Sequence, residues 1–222
     1  MNSEPTEDPQ AAADPQATYD RIAAHFSKTR EYAWPEVESF LSGRSASRAL
    51  DIGCGNGRHA ELLAACATST VGVDLSRELL GAAAARARDR GFRDRVDFVH
   101  GDAAALPIAD DAVELAVYVA TLHHLPSRAA RVRSLDELAR VLEPDGTALV
   151  SVWSTAHDRF DRDEGFDTTV DWTLPGGETV PRYYHIYSPE EFDADLAHSD
   201  LKPIAVDVSS GNCYAVVSPS ER

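Results

Sequence analysis

Lysine is almost missing from this chain of 222 residues. Only Lys28 and Lys202 occur, so nearly all positive charge is arginine. Cysteine is scarce as well. Cys54, Cys66 and Cys213 are too few and too scattered for a disulfide framework or a zinc site. All three read as buried small residues in a reducing compartment, and no metal is expected. No apolar run approaches the roughly 18 residues of a membrane span. The N-terminus lacks the basic-then-apolar order of a signal peptide. A cytoplasmic protein without membrane contact is expected. The few basic residues face 37 acidic ones, for a formal net charge of −16. Such a chain does not attract nucleic acid globally, so any RNA contact needs a local arginine patch or a second subunit.

The remaining composition, 43% hydrophobic and 26% charged, is that of an ordinary globule. Residues 1–16 are acidic, proline-rich and aperiodic, and read as a disordered tail before a single domain over 17–222. Tyr19, Ile22, Ala23 and Phe26 mark one face of a helix. Pro35 suits the first turn of a second, short helix. Strands are expected at 49–53, 70–74, 96–101, 113–120 and 147–153. Helices at 59–67, 77–90 and 128–142 alternate with them, the last ending at Pro144-Asp145-Gly146. This alternation predicts an α/β fold with a doubly wound, mostly parallel seven-stranded sheet. The last two strands, 201–208 and 212–217, follow a helix N-capped by Ser188, with Glu191 at the capping-box position. Residues 156–181 interrupt the pattern as a polar insertion, too long for an ordinary connection.

The sharpest motif is Leu50-Asp51-Ile52-Gly53-Cys54-Gly55-Asn56-Gly57, at the junction of a strand and a helix. Glycines there let a ligand approach the backbone, and the helix start offers unpaired N–H groups. Arg58 stands where a dinucleotide fingerprint wants its third glycine. Asp51 suits the ammonium of S-adenosylmethionine better than a pyrophosphate. Asp74 ends the second strand at the spacing of a ribose-binding acid. Asp102 follows the third. Solvated surface does not explain three carboxylates at successive strand ends. The pattern resembles the class I S-adenosylmethionine-dependent methyltransferases, a Rossmann-like fold. That resemblance implies adenine binding by Asp102 and the N–H of Ala103, and adds Gly53, Gly55 and Ala120 to the cofactor set.

Other segments narrow the resemblance. They are Tyr19 to Arg30 with its Phe-Ser-Lys-Thr-Arg ending, Trp34-Pro35, Leu122-His123-His124-Leu125, Glu137 to Gly146, Val152-Trp153 and Arg182-Tyr183-Tyr184-His185-Ile186-Tyr187. Together they resemble the tRNA wobble-uridine carboxymethyl methyltransferases, which esterify 5-carboxymethyluridine in the anticodon loop. The scarcity of lysine amid excess acid resembles proteins of a high-salt, halophilic archaeal cytoplasm. The family resemblance implies a heterodimer with a small zinc-binding activator. Its docking site would be the edge strand Val96–Gly101, where Val96, Phe98 and Val99 invite cover.

The chemistry follows from such an acceptor. A carboxylate is already ionised near neutral pH, since model carboxyl pKa values are about 4, so no general base is required. The anion must be held and aimed, and a guanidinium fork suits that task. Arg30 and Arg182 are the candidates, with His123 and His124 beside the reacting groups. A lone histidine is more often structural, and the pair brings the two readings to even odds. Trp153 and Tyr183 are candidates to stack the unpaired base, with Tyr184 also available, and His185 is a polar contact near the rim. The competing reading makes these aromatics core. Arg128, Arg131 and Arg133 could meet phosphates or form a solvated face. Arg86, Arg88, Arg90, Arg93 and Arg95 suggest a surface cluster. Two other functions share the cofactor motifs: a small-molecule methyltransferase, for example on a quinone precursor, and a cofactor-binding regulatory subunit.

Overall fold

A computed structural model describes residues 14–220. The chain order is α1 (Pro15–Thr29), α2 (Pro35–Leu41), β1 (Ala46–Ile52), α3 (Arg58–Cys66), β2 (Ala67–Asp74), α4 (Arg77–Asp89), β3 (Val96–His100), β4 (Val113–Val119), α5 (Arg128–Val141), β5 (Leu142–Trp153), β6 (Phe166–Thr173), β7 (Thr179–Ile186), α6 (Pro189–His198), β8 (Leu201–Ser209) and β9 (Asn212–Pro219). Seven strands form one sheet in the order β3-β2-β1-β4-β5-β9-β8. Its first five are parallel, and β9 is antiparallel to both β5 and β8. The doubly wound sheet expected from the alternation is therefore present. The order reverses direction between β1 and β4, where such sheets open a crevice at their carboxyl ends.

Both faces of the sheet are covered, and β4 shows why its sequence is almost wholly apolar. Ala116 and Tyr118 face one core with Leu135 and Leu138 of α5 and Phe192 of α6. Leu115, Val117 and Val119 face the other, with Val37 and Phe40 of α2 and Leu63 of α3. Period-2 alternation thus feeds two cores from one strand. At the far edge, β8 leaves Ile204, Val206 and Val208 exposed.

Several local expectations are corrected. Order begins before Tyr19: Asp14 caps α1 by accepting from Ala17 N–H at 3.2 Å, so residues 14–16 of the expected tail are structured. Residues 1–13 of that tail lie outside the described residues. Pro144-Asp145-Gly146 does not close α5 but lies within β5, where the register against β4 shifts between Val113 and Leu115. A Cβ on Gly146 would stand 2.9 Å from the Glu143 carbonyl oxygen, so the narrow bend requires glycine. Cys66 is half-buried rather than core. Ser188 caps α6 as expected, but the Glu191 carboxylate faces His185 at 2.9 Å in place of a reciprocal capping bond.

The largest addition is the insertion. It folds into a short turn and then an antiparallel hairpin, β6–β7, reversing at Pro175-Gly176-Gly177. The hairpin hangs from the tip of β5 through Tyr187 N–H to the Trp153 carbonyl at 3.1 Å and Thr155 N–H to the Tyr187 carbonyl at 2.8 Å. Its Trp172 and Val180 pack on Ile22 of α1, with Tyr19 and Phe26 alongside. Trp172 Nε1–H donates to His25 Nδ1 at 3.0 Å. Asp20 ties α1 down on its other side, accepting from Ser76 Oγ at 2.6 Å and Glu78 N–H at 3.2 Å. Helix and hairpin together roof the carboxyl ends of β1, β2, β4 and β5.

Candidate active site

Beneath this roof lies a cavity of about 680 Å³. Its floor is the glycine turn. Gly53, Gly55 and Gly57 take φ of 68°, 53° and 77°, left-handed values that suit glycine. At Gly53 the requirement is absolute, because a Cβ would lie 2.1 Å from Thr121 Oγ1. Ala120, at the tip of β4, also has a positive φ of 55° and lines the cavity. A left-handed alanine is strained, and the strain sits where a ligand would touch the strand end.

The acids divide by role. Asp74 lines the cavity, and its Oδ2 accepts from Gly55 N–H at 2.7 Å while Oδ1 accepts from Ser76 N–H at 2.8 Å. It therefore shapes the glycine turn and still presents carboxylate lone pairs to the cavity. Burial pushes its carboxyl above the usual range, against the pull of those two amides. Asp102 is exposed on the cavity wall beside Ala103, with Oδ1 accepting from Ala104 N–H at 2.8 Å. Asp51 sits differently from these two. It is 1% exposed, does not line the cavity, and accepts a hydrogen bond from the Ala60 amide in the first turn of α3. Burial and the neighbouring Asp74 push its carboxyl up to about 7, against the pull of Arg58. It stands behind the glycine turn, with Oδ2 buried and without a hydrogen-bond partner among the described residues.

Beyond β4 the wall changes character. His123 is buried, and its Nδ1 accepts from Trp153 N–H at 2.9 Å, which leaves the ring proton on Nε2. Its pKa is held well below the usual value by burial and by His124 and Arg182. His124 is engaged at both nitrogens: Nδ1 donates to the Tyr183 carbonyl at 2.9 Å, so Nε2 accepts from Tyr19 O–H at 2.8 Å. Burial lowers its pKa to about 4. His124 thus ties α1 to β7.

Arg182 comes from β7 and is 9% exposed, with its guanidinium 4.8 Å from the Trp172 ring centre and Nη1 donating to Tyr184 Oη at 2.6 Å. Arg30, exposed at the end of α1, lies over the other part of the roof at 5.2 Å from Trp172. Both line the cavity with Trp153 and Tyr184. Among the described residues neither arginine forms an ion pair with a carboxylate. Two expected acceptor contacts do not line this cavity. Tyr183 O–H donates to Asp167 at 2.8 Å, and His185 is clamped between Asp167 at 2.7 Å and Glu191 at 2.9 Å. Arg128 and Arg131 of α5 are also engaged, while Arg133 is exposed. Arg128 pairs with buried Asp195 at 2.6 Å, and Arg131 is 3% exposed against the Tyr187 ring. Arg86 and Arg90 pair with Glu61.

Sequence reading missed Thr121, Asn56, His59 and Arg159 on the cavity wall. Asn56 was legible inside the glycine motif. Its Nδ2 donates to the Arg30 carbonyl at 2.9 Å and so fixes α1 over the turn. The other three carry no motif signal.

These features can be set beside known proteins. Residues 50–150 match the family model described as a methyltransferase domain. A protein of Encephalitozoon cuniculi named as a methyltransferase, ECU09_1500, is 36% identical over 207 residues, covering 90% of this chain and 92% of its own. The chain belongs to the S-adenosylmethionine-dependent methyltransferases. An Arabidopsis thaliana tRNA (carboxymethyluridine(34)-5-O)-methyltransferase is 37% identical over 137 residues, 61% of this chain. This chain spans 31% of that protein's length and 19% of the similar mouse enzyme ALKBH8. Among solved structures, the CcbJ methyltransferase of Streptomyces caelestis superposes with a TM-score of 0.76 at 20% identity, covering 94% of this chain and all of its own. DhpI in complex with S-adenosylhomocysteine gives 0.69 at 20%, covering 93% and 96%. A methyltransferase seen with the Haloferax volcanii Trm112 activator gives 0.69 at 16%, covering 93% and 98%. At these identities the structures show the shared fold.

The cavity fits the family's cofactor, S-adenosylmethionine. Its floor at Gly53 has no room for even one added methyl group, and two carboxylates, Asp74 and Asp102, stand at successive strand tips on its wall.

Proposed function

We propose that this methyltransferase acts on tRNA, esterifying the carboxylate of 5-carboxymethyluridine at the wobble position. The observation that carries the reading is Arg182, a guanidinium buried against Trp172 and Tyr184 at the cavity wall with no ion pair to a carboxylate among the described residues. Burying an uncompensated charge is costly, so an anionic acceptor is the natural complement. The names borne by the Arabidopsis and mouse relatives support the same acceptor. When bound, S-adenosylmethionine supplies an electrophilic methyl group on a sulfonium.

The protein's own residues have limited work to do. Arg182 and Arg30 orient a carboxylate that needs no deprotonation, and near-attack positioning contributes roughly 7–11 kcal/mol. Tyr184 and Tyr19 hold the Arg182 guanidinium by hydrogen bonds, and its remaining N–H capacity grips one oxygen while the second attacks. His123 offers its Nε2–H to the uracil or the carboxylate without competing as a base. Trp153 provides a face for the base. The α1–hairpin roof limits water at the reacting atoms.

A small zinc-binding activator on β3 is part of the proposal. β3 is a sheet edge, and the activator complex of the Haloferax neighbour supports such an arrangement. Val96 is buried and Phe98 half-buried beneath Gly57 and Gly72, so the backbone edge rather than an apolar patch is what an activator would pair with. The test uses tRNA from a strain lacking the gene and labelled cofactor, with the chain alone and co-expressed with an activator. Mass spectrometry should find the wobble free acid converted to its methyl ester, and faster with the activator. Methylation of small acceptors only would overturn the tRNA reading. Equal activity and solubility of the lone chain would overturn the activator.

A further inference from the structure

The segment between β5 and the hairpin forms a braced turn. His157 N–H donates to the Ser154 carbonyl at 3.1 Å, and Phe160 N–H donates to the His157 carbonyl at 2.9 Å. Arg159 N–H donates to His157 Nδ1 at 3.0 Å. The β8–β9 turn supports it from outside. Ser154 N–H donates to the Gly211 carbonyl at 3.0 Å, and a Cβ on Gly211 would lie 2.4 Å from His157 Cβ. Phe160 locks the turn to Trp153, with ring centres 4.9 Å apart. The result is a fixed platform from which the Arg159 guanidinium lies over Trp153 at 5.7 Å. Arg159 is exposed, lines the cavity, and forms no ion pair with a carboxylate among the described residues.

We propose that Arg159 binds a backbone phosphate of a polynucleotide acceptor, next to the nucleotide whose base stacks at Trp153. This deepens the tRNA reading and rests on it. Strand order argues against a role toward the cofactor. Asp74 ends β2, whereas Trp153 ends β5, three strand intervals away, or about 14 Å. Exposure separates Arg159 from Arg182. A carboxylate on the inserted base reaches the buried guanidinium, while the phosphate stays at the solvent-facing rim where Arg159 stands. A chain with net charge −16 gains its hold on RNA from local cations of this kind or from a second subunit.

The test compares the full chain, with its activator where co-expression supplies one, as wild type, Arg159→Ala and Arg159→Lys. Substrate is the free-acid tRNA, assayed across a salt series. Arg159→Ala should raise the tRNA KM about tenfold with kcat nearly unchanged, as for loss of one charged contact. The slope of log KM against log salt should fall by about 0.7, the share of one phosphate on a single strand. Arg159→Lys should restore the slope. Cofactor affinity by calorimetry should stay within about twofold of wild type, the same small-change expectation as for any residue outside its pocket. An unchanged tRNA KM and salt slope would overturn the proposal while leaving the tRNA reading intact. A cofactor affinity that falls as far as the tRNA KM rises would reassign Arg159 to the cofactor. A wild type inert on tRNA would remove the underlying reading instead.

Discussion

The two halves of the cavity are built by different means. Toward β2 and β3 the wall is backbone and carboxylate: Gly53, Gly55, Asp74, Asp102 and Ala103 come from one stretch of about fifty residues, and Asp74 itself shapes the glycine turn. Beyond β4 the wall is aromatic and cationic, and distant segments assemble it. Tyr19 of α1 meets His124, which meets the Tyr183 carbonyl of β7, while Trp172 of β6 lies between Arg30 and Arg182. The first half is local and suits a ligand of constant structure. The second is a set of tertiary contacts hung on an insertion, where side chains can change without disturbing the glycine turn.

The sharpest way to break this contrast is at the floor. Gly53→Ala combines a left-handed backbone with a collision on Thr121. It should cost about 3 kcal/mol of stability or more in urea unfolding, and abolish measurable cofactor binding in calorimetry. A normal cofactor affinity would mean the turn is not the cradle. Next in size is Arg182→Lys, which keeps the charge but loses the fork and the stacking on Trp172. Misplacing a reacting group by about an ångström can cost a hundredfold, so turnover of tRNA should drop about that much. Cofactor affinity should not move. Equal losses in both would show that the halves are coupled.

A third comparison uses pH. His123 and His124 have depressed pKa values, His124 at about 4, so the unfolded chain binds more protons between there and its own value near 6.5. Their contribution is complete above pH 6.5 and declines as the pH falls toward 4, by up to about 1.4 kcal/mol per pH unit for each group. Asp51 has the opposite sign. Raised from near 4 to about 7, it takes up a proton in the folded state over that window, and stability falls as the pH rises through it. Unfolding measured from pH 4.5 to 7.5 should therefore show a steeper acid loss in Asp51→Asn than in wild type. Identical slopes would show that Asp51 is ionised throughout.

Residues 50–103 were readable because their constraints are local. A glycine needed for close approach and an acid at a strand tip leave their mark within a few positions of one another. Asp51 marks the limit of that locality: proximity in sequence to the turn does not say how deeply a side chain is buried behind it. Arg182 could be named from its segment, but not its stacking on Trp172. The hairpin was unreadable because β6 alternates polar with half-buried residues and packs on α1, more than a hundred positions away.

By itself, the sequence determined the alternation of strands and helices and the chemistry of the cofactor turn, both set by short-range periodicity and backbone sterics. Only the tertiary structure decided which histidine is tied up at both nitrogens, which arginines lack an acid partner among the described residues, and that the insertion roofs the cavity. Those properties depend on which distant groups share a buried space, and no spacing along the chain encodes that.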